Sequence, residues 1–337
     1  MPAPSKRQKQ TTLTVREPAL LMDFLAVHFA GKSRTSLKSL LRNGQVCVNS
    51  KIQTKFDFQL SKGDAVQINT GKVSYELKNT RLKLLYEDDY VIVIDKSEGL
   101  LSVSASPTKE GPSAFSIILQ YLEKKNVGAK LYAVHRLDKA TSGVMMFAKT
   151  VEAQHIMRDN WKKMVSERTY MAITEGIPDP EEDTIESYLH ESRAQVMYSG
   201  AKNDGKLSVT HYRVVRKAGD YALLKLNLQT GRKNQIRVHL SDIGCPIIGD
   251  SKYGATSSPI HRLALHAKVL EFIHPITHEK HRFETPVPKE FNAFLINEGK
   301  RLNELSKQKE ERRELKREAR ANRENGNRRS FDNKKRR

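Results

Sequence analysis

The sequence predicts an α+β protein: a small module of two helices and short strands, then a larger domain of further strands and helices. Two observations carry that expectation. Between residues 20 and 41, Leu20, Leu21, Phe24, Leu25, Leu37, Leu40 and Leu41 recur at three- and four-residue spacing, the period of helices with one buried side. Beyond residue 84, short apolar or alternating runs at 91–96, 144–148, 167–173 and 221–228 are bounded by turn residues and interleaved with helical patterns at 115–125 and 151–165.

Composition narrows the class. A chain of 337 residues is long enough for two domains. It carries 59 Lys and Arg against 39 Asp and Glu, a net charge of +20 that concentrates polyanions around it and makes nucleic acid the leading partner. Two cysteines, Cys47 and Cys245, are too few for a disulfide framework and fit a reducing compartment. No stretch approaches the roughly 20 apolar residues of a membrane span, and the N-terminus has no apolar segment, so a soluble, cytoplasmic protein is expected.

Residues 1–12 are polar and basic and read as disordered. The module 13–73 follows, with one helix from Leu20 to Phe29, a turn at 31–36, and a second helix that stops at Asn43-Gly44. Residues 45–49 alternate as a strand, and 60–68 form a turn feeding another. Arg34, Lys38 and Arg42 are four residues apart and share a face of the second helix, as a helix laid against a phosphate backbone requires; a plain solvated face is the alternative.

A polar linker, 74–83, leads to the larger domain, 84–297. The β-branched run 91–96 reads as an interior strand, and Pro112 as a first-turn residue of a helix whose apolar side is Ile117, Ile118, Tyr121 and Leu122. Residues 178–183 read as an acidic loop and 199–206 as a turn-rich one. Arg232, Lys233 and Arg237 follow the alternating strand 221–228, where loops on rigid strands concentrate binding residues. Residues 244–258 are again turn-rich. The tail, 298–337, holds 16 Lys or Arg against 7 Asp or Glu from residue 300 onward and has no apolar stripe. It reads as a disordered RNA-binding tail, able in its first half to become helical on a partner, or as a solubilising extension.

The domain is organised around His135-Arg136-Leu137-Asp138-Lys139-Ala140-Thr141-Ser142-Gly143, which runs straight into an apolar strand. A carboxylate bracketed by two cations, ahead of a Thr-Ser-Gly break, is the arrangement of one charged group presented at a cleft. A half-buried carboxylate is costly unless paired, and Arg136 and Lys139 are close in sequence. Ionised, Asp138 can act as nucleophile or base; the alternative is a surface ion pair of no consequence.

Three stretches, 135–143, 230–239 and 262–267, resemble the RluA-like RNA pseudouridine synthases, a likeness spanning about 80–290. Residues 33–34, 40–49 and 60–66 resemble the alpha-L RNA-binding fold across about 14–72. The resemblance implies a mixed, largely antiparallel catalytic sheet with flanking helices and a central cleft. It implies conversion of uridine to pseudouridine in structured RNA without a cofactor: the N1–C1′ bond breaks, the uracil turns, and C5 joins C1′. Asp138 would be the essential carboxylate, attacking C1′ or removing the C2′ proton. Arg136 would enter the space left by the flipped base, with Lys139 beside it on the RNA. Tyr170 would stack on that base and assist proton removal at C5. Arg237 would pair with the carboxylate and hold it ionised, with Arg232 nearer the phosphate or cleft wall. Leu265 and His266 match cleft-lining residues, although His266 reads equally as a core histidine. Asn234 stands where the family often has His, in a supporting position.

Large-subunit ribosomal RNA is favoured over transfer RNA because of the added module and basic tail. No metal, no membrane association and a monomer are expected. Two rival readings are a metal hydrolase built on His274, His278 and His281, and a non-catalytic RNA-binding or ribosome-assembly factor.

Overall fold

A computed structural model describes residues 10–42, 44–69, 77–104, 111–125, 128–203 and 205–334; the side chains of Gln10, Arg42 and 317–334 lie outside that description, as do residues 1–9 and 70–76, the last of the expected module and the first of the expected linker. In the amino-terminal module, β1 (Gln10–Thr14), β6 (Ala65–Asn69), β3 (Val46–Val48) and β4 (Lys51–Ile52) form an antiparallel sheet in that order. β2 (Ala19–Leu20) pairs with β5 (Gln59–Leu60). α1 (Leu21–His28) and α2 (Arg34–Arg42) bury Leu21, Leu25, Leu37 and Leu41 against Val46, Val66 and Ile68, in a core whose buried members all lie between Val15 and Ile68. Gly44, at φ +63°, ends α2 in a left-handed turn, donating its N–H to Leu41 O. Where disorder was expected through residue 12, β1 already begins at Gln10: Thr11, Thr12, Leu13 and Thr14 favour strand, and β6 offers an edge to pair with.

The chain divides into two compact units, Met1–Ser166 with Phe272–Phe283, and Glu167–Glu271 with Glu284–Arg337. In the first, β8 (Val91–Lys96) lies between β7 (Leu82–Glu87) and β10 (Ser142–Ala148), antiparallel to both, and β9 (Tyr132–Ala133) pairs with β10. This is the interior position that the β-branched run predicts. Strand β7 opens at Leu82, whose burial brings the ordered sheet two residues ahead of the expected start. α3 (Ala114–Lys125) is capped by Ser113, whose Oγ accepts the Ser116 N–H at 3.2 Å, so Pro112 sits just ahead of the cap instead of in the first turn. The helix expected over 151–165 is two, α4 (Val151–Asp159) and α5 (Trp161–Met164), because the backbone leaves the helical region at Asn160, φ −114° and ψ 20°, where the side chain also bonds back to Ile156 O at 3.1 Å.

The second unit is built on the strand order β13 (Met197–Gly200), β12 (Glu182–Glu191), β14 (Lys206–Ala218), β15 (Tyr221–Leu228), β11 (Val165–Glu175) and β16 (Leu265–Ile273). The first five are joined by antiparallel pairings. The architecture is thus α+β, a mixed, largely antiparallel sheet with flanking helices. Sequence reading missed β12 to β14; β12 carries little apolar signal, burying a single side chain, Leu189. α6 (Gln235–Asp242) and a short 3-10 turn, Ser251–Tyr253, follow β15, and β17 (Lys280–Glu284) precedes α7 (Lys289–Lys334).

α7 corrects the expectation of a disordered tail. Phe291 and Leu295 are fully buried at its start, and the Phe294 ring meets Tyr221 edge-on at 4.9 Å. Leu302 lies 3.0 Å from where a side chain at Gly219 would begin. Beyond that anchor the run of Glu, Lys, Arg and Leu, with pairs such as Glu298 and Arg301, sustains the helix by propensity and local charge. Leu305 and Leu315 stay exposed, in keeping with the missing apolar stripe. No helix among the described residues is long and apolar enough to cross a membrane.

Candidate active site

Between β9 and β10 the chain passes through 135–141 without regular structure, and neighbouring groups hold it. Ser102 Oγ donates to Leu137 O at 2.7 Å and accepts the Leu137 N–H at 3.1 Å. Lys96, fully buried at the end of β8, donates its ammonium hydrogens to Leu100 O at 2.8 Å, Ser97 O at 3.0 Å and Lys139 O at 3.4 Å. A buried ammonium is expensive unless satisfied, and these carbonyls satisfy it while tying the strand to the loop. Gly99 N–H reaches the same Lys139 carbonyl at 2.8 Å, and Thr141 N–H closes a turn on Asp138 O at 3.1 Å. His135 Nε2 accepts the Met146 N–H at 3.0 Å, with its ring 5.0 Å from that of Trp161. Leu137 points inward, Arg136 and Lys139 are exposed, and Asp138 is half-buried. The loop therefore presents Asp138 from a backbone fixed on both sides.

Arg237 belongs to the second unit and lies on α6, not in the loop that sequence reading expected. Residues 235–242 are too short a run to show a helical period. The helix is entered through Asn234 in the left-handed conformation, φ +54°, which Asn tolerates. Asp250, 1% exposed, accepts from Arg237 Nε and Nη2 at 2.6 Å each, and Nη1 donates to Asn234 Oδ1 at 3.2 Å. The guanidinium also lies over the Tyr253 ring at 4.8 Å, and Tyr253 OH accepts from Asn234 Nδ2 at 3.0 Å. A bidentate carboxylate and a ring face together fix the plane of the guanidinium. Gln235 braces the approach to the helix: its Oε1 accepts from Thr230 Oγ1 at 2.8 Å and Arg232 N at 3.0 Å, and its Nε2 donates to Val209 O at 3.0 Å.

Tyr170, half-buried on β11, stands opposite Leu226 on β15. Arg168, two residues earlier and on the same face, donates to Leu228 O at 2.9 Å. Its Nη1 lies 2.6 Å from the point where a Cβ at Gly231 would stand, so glycine makes room for it. Burial pulls the Arg168 pKa down, and the Tyr170 phenol acts in the opposite direction. Arg232 is exposed, with Nε 3.3 Å from Leu207 O. Leu265 and His266 are both 3% exposed. His266 Nε2 lies 3.0 Å from Thr285 Oγ1, and burial, with the nearby Arg262 charge, pushes its pKa down to about 4, as suits the core-histidine alternative.

In the amino-terminal module Arg34 pairs with Asp23 at 3.2 Å, both exposed, and Lys38 lies over the Phe56 ring. The Arg42 side chain lies outside the described residues. His274 is engaged structurally, with Nε2 3.0 Å from Asp88 and Nδ1 accepting from Thr277 N at 3.0 Å, and His281 stacks on Phe272 and Phe283. Among the described residues no three His, Cys, Asp or Glu side chains group as a metal site. Sequence reading missed Ser102, Asp250 and Tyr253. It could have weighed Lys96, which with Asp95 closes the apolar run 91–94, and Gly249-Asp250, where φ is +80° and a side chain on Gly249 would stand 2.1 Å from Arg262 O.

Comparison with known proteins gives this geometry a context. A family profile described as RNA pseudouridylate synthase matches residues 90–242. The chain is 36% identical over 220 residues to the uncharacterised RNA pseudouridine synthase YjbO of Bacillus subtilis, covering 65% of this chain and 77% of that one. It is 32% identical over 292 residues to ribosomal large subunit pseudouridine synthase D of Haemophilus influenzae, covering 80% and 88%. Its structure is similar to human RNA pseudouridylate synthase domain containing 4, with a TM-score of 0.52 and 25% identity over 64% of this chain and 92% of that one. Fold and sequence together define an RNA-modifying isomerase. The chain belongs to the RNA pseudouridylate synthase family.

Proposed function

We propose that this protein converts uridine to pseudouridine in large-subunit ribosomal RNA, with Asp138 as the essential carboxylate. The observation that carries the reading is a half-buried Asp138 on a backbone fixed by Ser102 and Lys96, inside the segment matched by the family. A stacked uridine is reached by flipping it out, at a cost of roughly a few kcal/mol. Arg136, exposed two residues from Asp138, is assigned the vacated space, with Lys139 on the adjoining phosphate. Asp138 opens the N1–C1′ bond by attack at C1′ or by removing the C2′ proton; the freed uracil turns and C5 joins C1′. The hydrogen on C5 must then leave, and Tyr170 is assigned both the stacking and help in that proton transfer. Arg237 is assigned as the partner of Asp138, with Arg232 toward the phosphate; a guanidinium already oriented by Asp250 has little left to order when it acts.

The choice of ribosomal RNA is supported by the name of the Haemophilus influenzae relative, a ribosomal large subunit pseudouridine synthase, and by a +20 chain with basic segments at both ends. The same reading takes 13–73 as an alpha-L-like RNA-binding module, 84–297 as the catalytic domain with Leu265 and His266 packed inside it, and the protein as a cytoplasmic monomer that needs no cofactor. Pseudouridine mapping across total RNA tests it, in cells lacking the gene and complemented with wild type or Asp138→Asn. Ribosomal signals restored by wild type alone are expected. Signals in transfer RNA would replace the substrate, and an unchanged map would favour a binding or assembly role.

A further inference from the structure

Residues 32–56 contain Lys32, Arg34, Lys38, Arg42, Lys51 and Lys55 and no Asp or Glu. At the end of that run, just ahead of the exposed Asp57, stands a half-exposed aromatic ring. Phe56 is 53% exposed, while Phe58, two residues on, packs against the module's core. The loop thus has an apolar place for a ring and gives it to Phe58, leaving Phe56 outside.

The outward ring rests on a held backbone. Met22 N–H donates to Phe56 O at 3.0 Å and Leu21 N–H to Phe58 O at 2.8 Å. Gln53 Oε1 accepts from the N–H groups of Thr54 and Lys55 at 3.1 and 3.0 Å. The Lys38 ammonium, on the exposed side of α2, lies 5.5 Å from the ring centroid. A fixed ring among cations is the arrangement by which proteins bind unpaired nucleotides: the base stacks on the ring, and the cations take the neighbouring phosphates. A duplex offers no free base face to such a ring, and an acidic peptide gains nothing from its flat surface.

We propose that Phe56 is a stacking site for an unpaired base of RNA, with Lys38 and its neighbouring cations holding the adjoining phosphates. The proposal takes RNA as the ligand class from the functional reading above but concerns a surface of the amino-terminal module. Its use would be to register a bulged or looped nucleotide in the substrate.

The test uses the full-length protein and two labelled RNAs of equal length, a hairpin with an unpaired loop and a blunt duplex, read by fluorescence anisotropy at fixed salt. Phe56→Ala is expected to weaken hairpin binding by about fivefold or more and to leave duplex binding unchanged, while Phe56→Tyr retains both. In Phe56→Trp the hairpin should quench emission beyond the change seen with Trp161 in wild type. Equal loss on both RNAs, no loss on the hairpin, or an unquenched tryptophan in a protein that still binds overturns the proposal. So does loss of binding to a polyglutamate peptide with the RNAs unaffected. A thermal melt of Phe56→Ala matching wild type shows that the fold is kept, and wild-type turnover measured in parallel tests the catalytic reading separately.

Discussion

Arg237 and Asp250, thirteen residues apart, meet as a bidentate ion pair with both N···O distances at 2.6 Å, the carboxylate 1% exposed. Removing one member of a buried pair strands the other, so Asp250→Ala should cost about 3–5 kcal/mol, read from a urea midpoint. Asp250→Asn keeps the shape and loses the charge. It should lower the single-turnover rate by about tenfold or more with RNA affinity within about threefold, because the guanidinium loses its fixed plane. A folded Asn variant with unchanged turnover would detach Asp250 from catalysis.

Asp138→Asn should abolish pseudouridine formation and leave RNA affinity within about tenfold, since one half-buried carboxylate contributes little to a phosphate-dominated interface. Retained turnover in a rate assay would remove Asp138 from its role.

Tyr170→Phe should lower turnover more than binding, because the ring assigned to stacking is kept and the hydroxyl assigned to proton transfer is lost. The check is a single-turnover rate set beside an equilibrium titration.

Stability should fall on mild acidification. His239 and His266 are interior, and burial pushes each pKa down to about 4, against 6.5 in an open chain. As the pH falls below 6.5 the unfolded chain takes up these protons first. The stabilisation is therefore complete above that pH and is lost toward pH 4, by about 3 kcal/mol per histidine. Urea midpoints at pH 7.5 and pH 5 should show the decline, and His266→Gln should make it smaller.

Ser102→Ala removes a hydroxyl that serves both backbone polar groups of the buried Leu137. A loss of about 1–3 kcal/mol is expected for the unsatisfied groups, with reduced turnover, because the same residue carries the Asp138 loop. A calorimetric melt and the rate assay read the two effects.

Much of the first unit was legible because its signals are local: a β-branched run for β8, and a charged motif against an apolar strand for Asp138. What escaped depends on distance in sequence. Asp250 finds Arg237 across a turn, and Ser102 finds Leu137 across 35 residues, and neither leaves a period to read. β12 escaped because a strand burying only Leu189 looks like a loop. α7 escaped for the converse reason: it lacks the apolar stripe by which a helix is usually recognised, and it is held by its first turns and by its own propensity.

Lys96 gives its charge to the carbonyls of Ser97, Leu100 and Lys139, so the protein's own contacts fix the backbone of the Asp138 loop. The conformational entropy lost on forming the complex then falls mainly on the nucleic acid. A uridine already loosened at a bulge or a weak pair has the least to lose, and an enzyme whose own side is preset should turn over such sites ahead of those locked in a continuous stack.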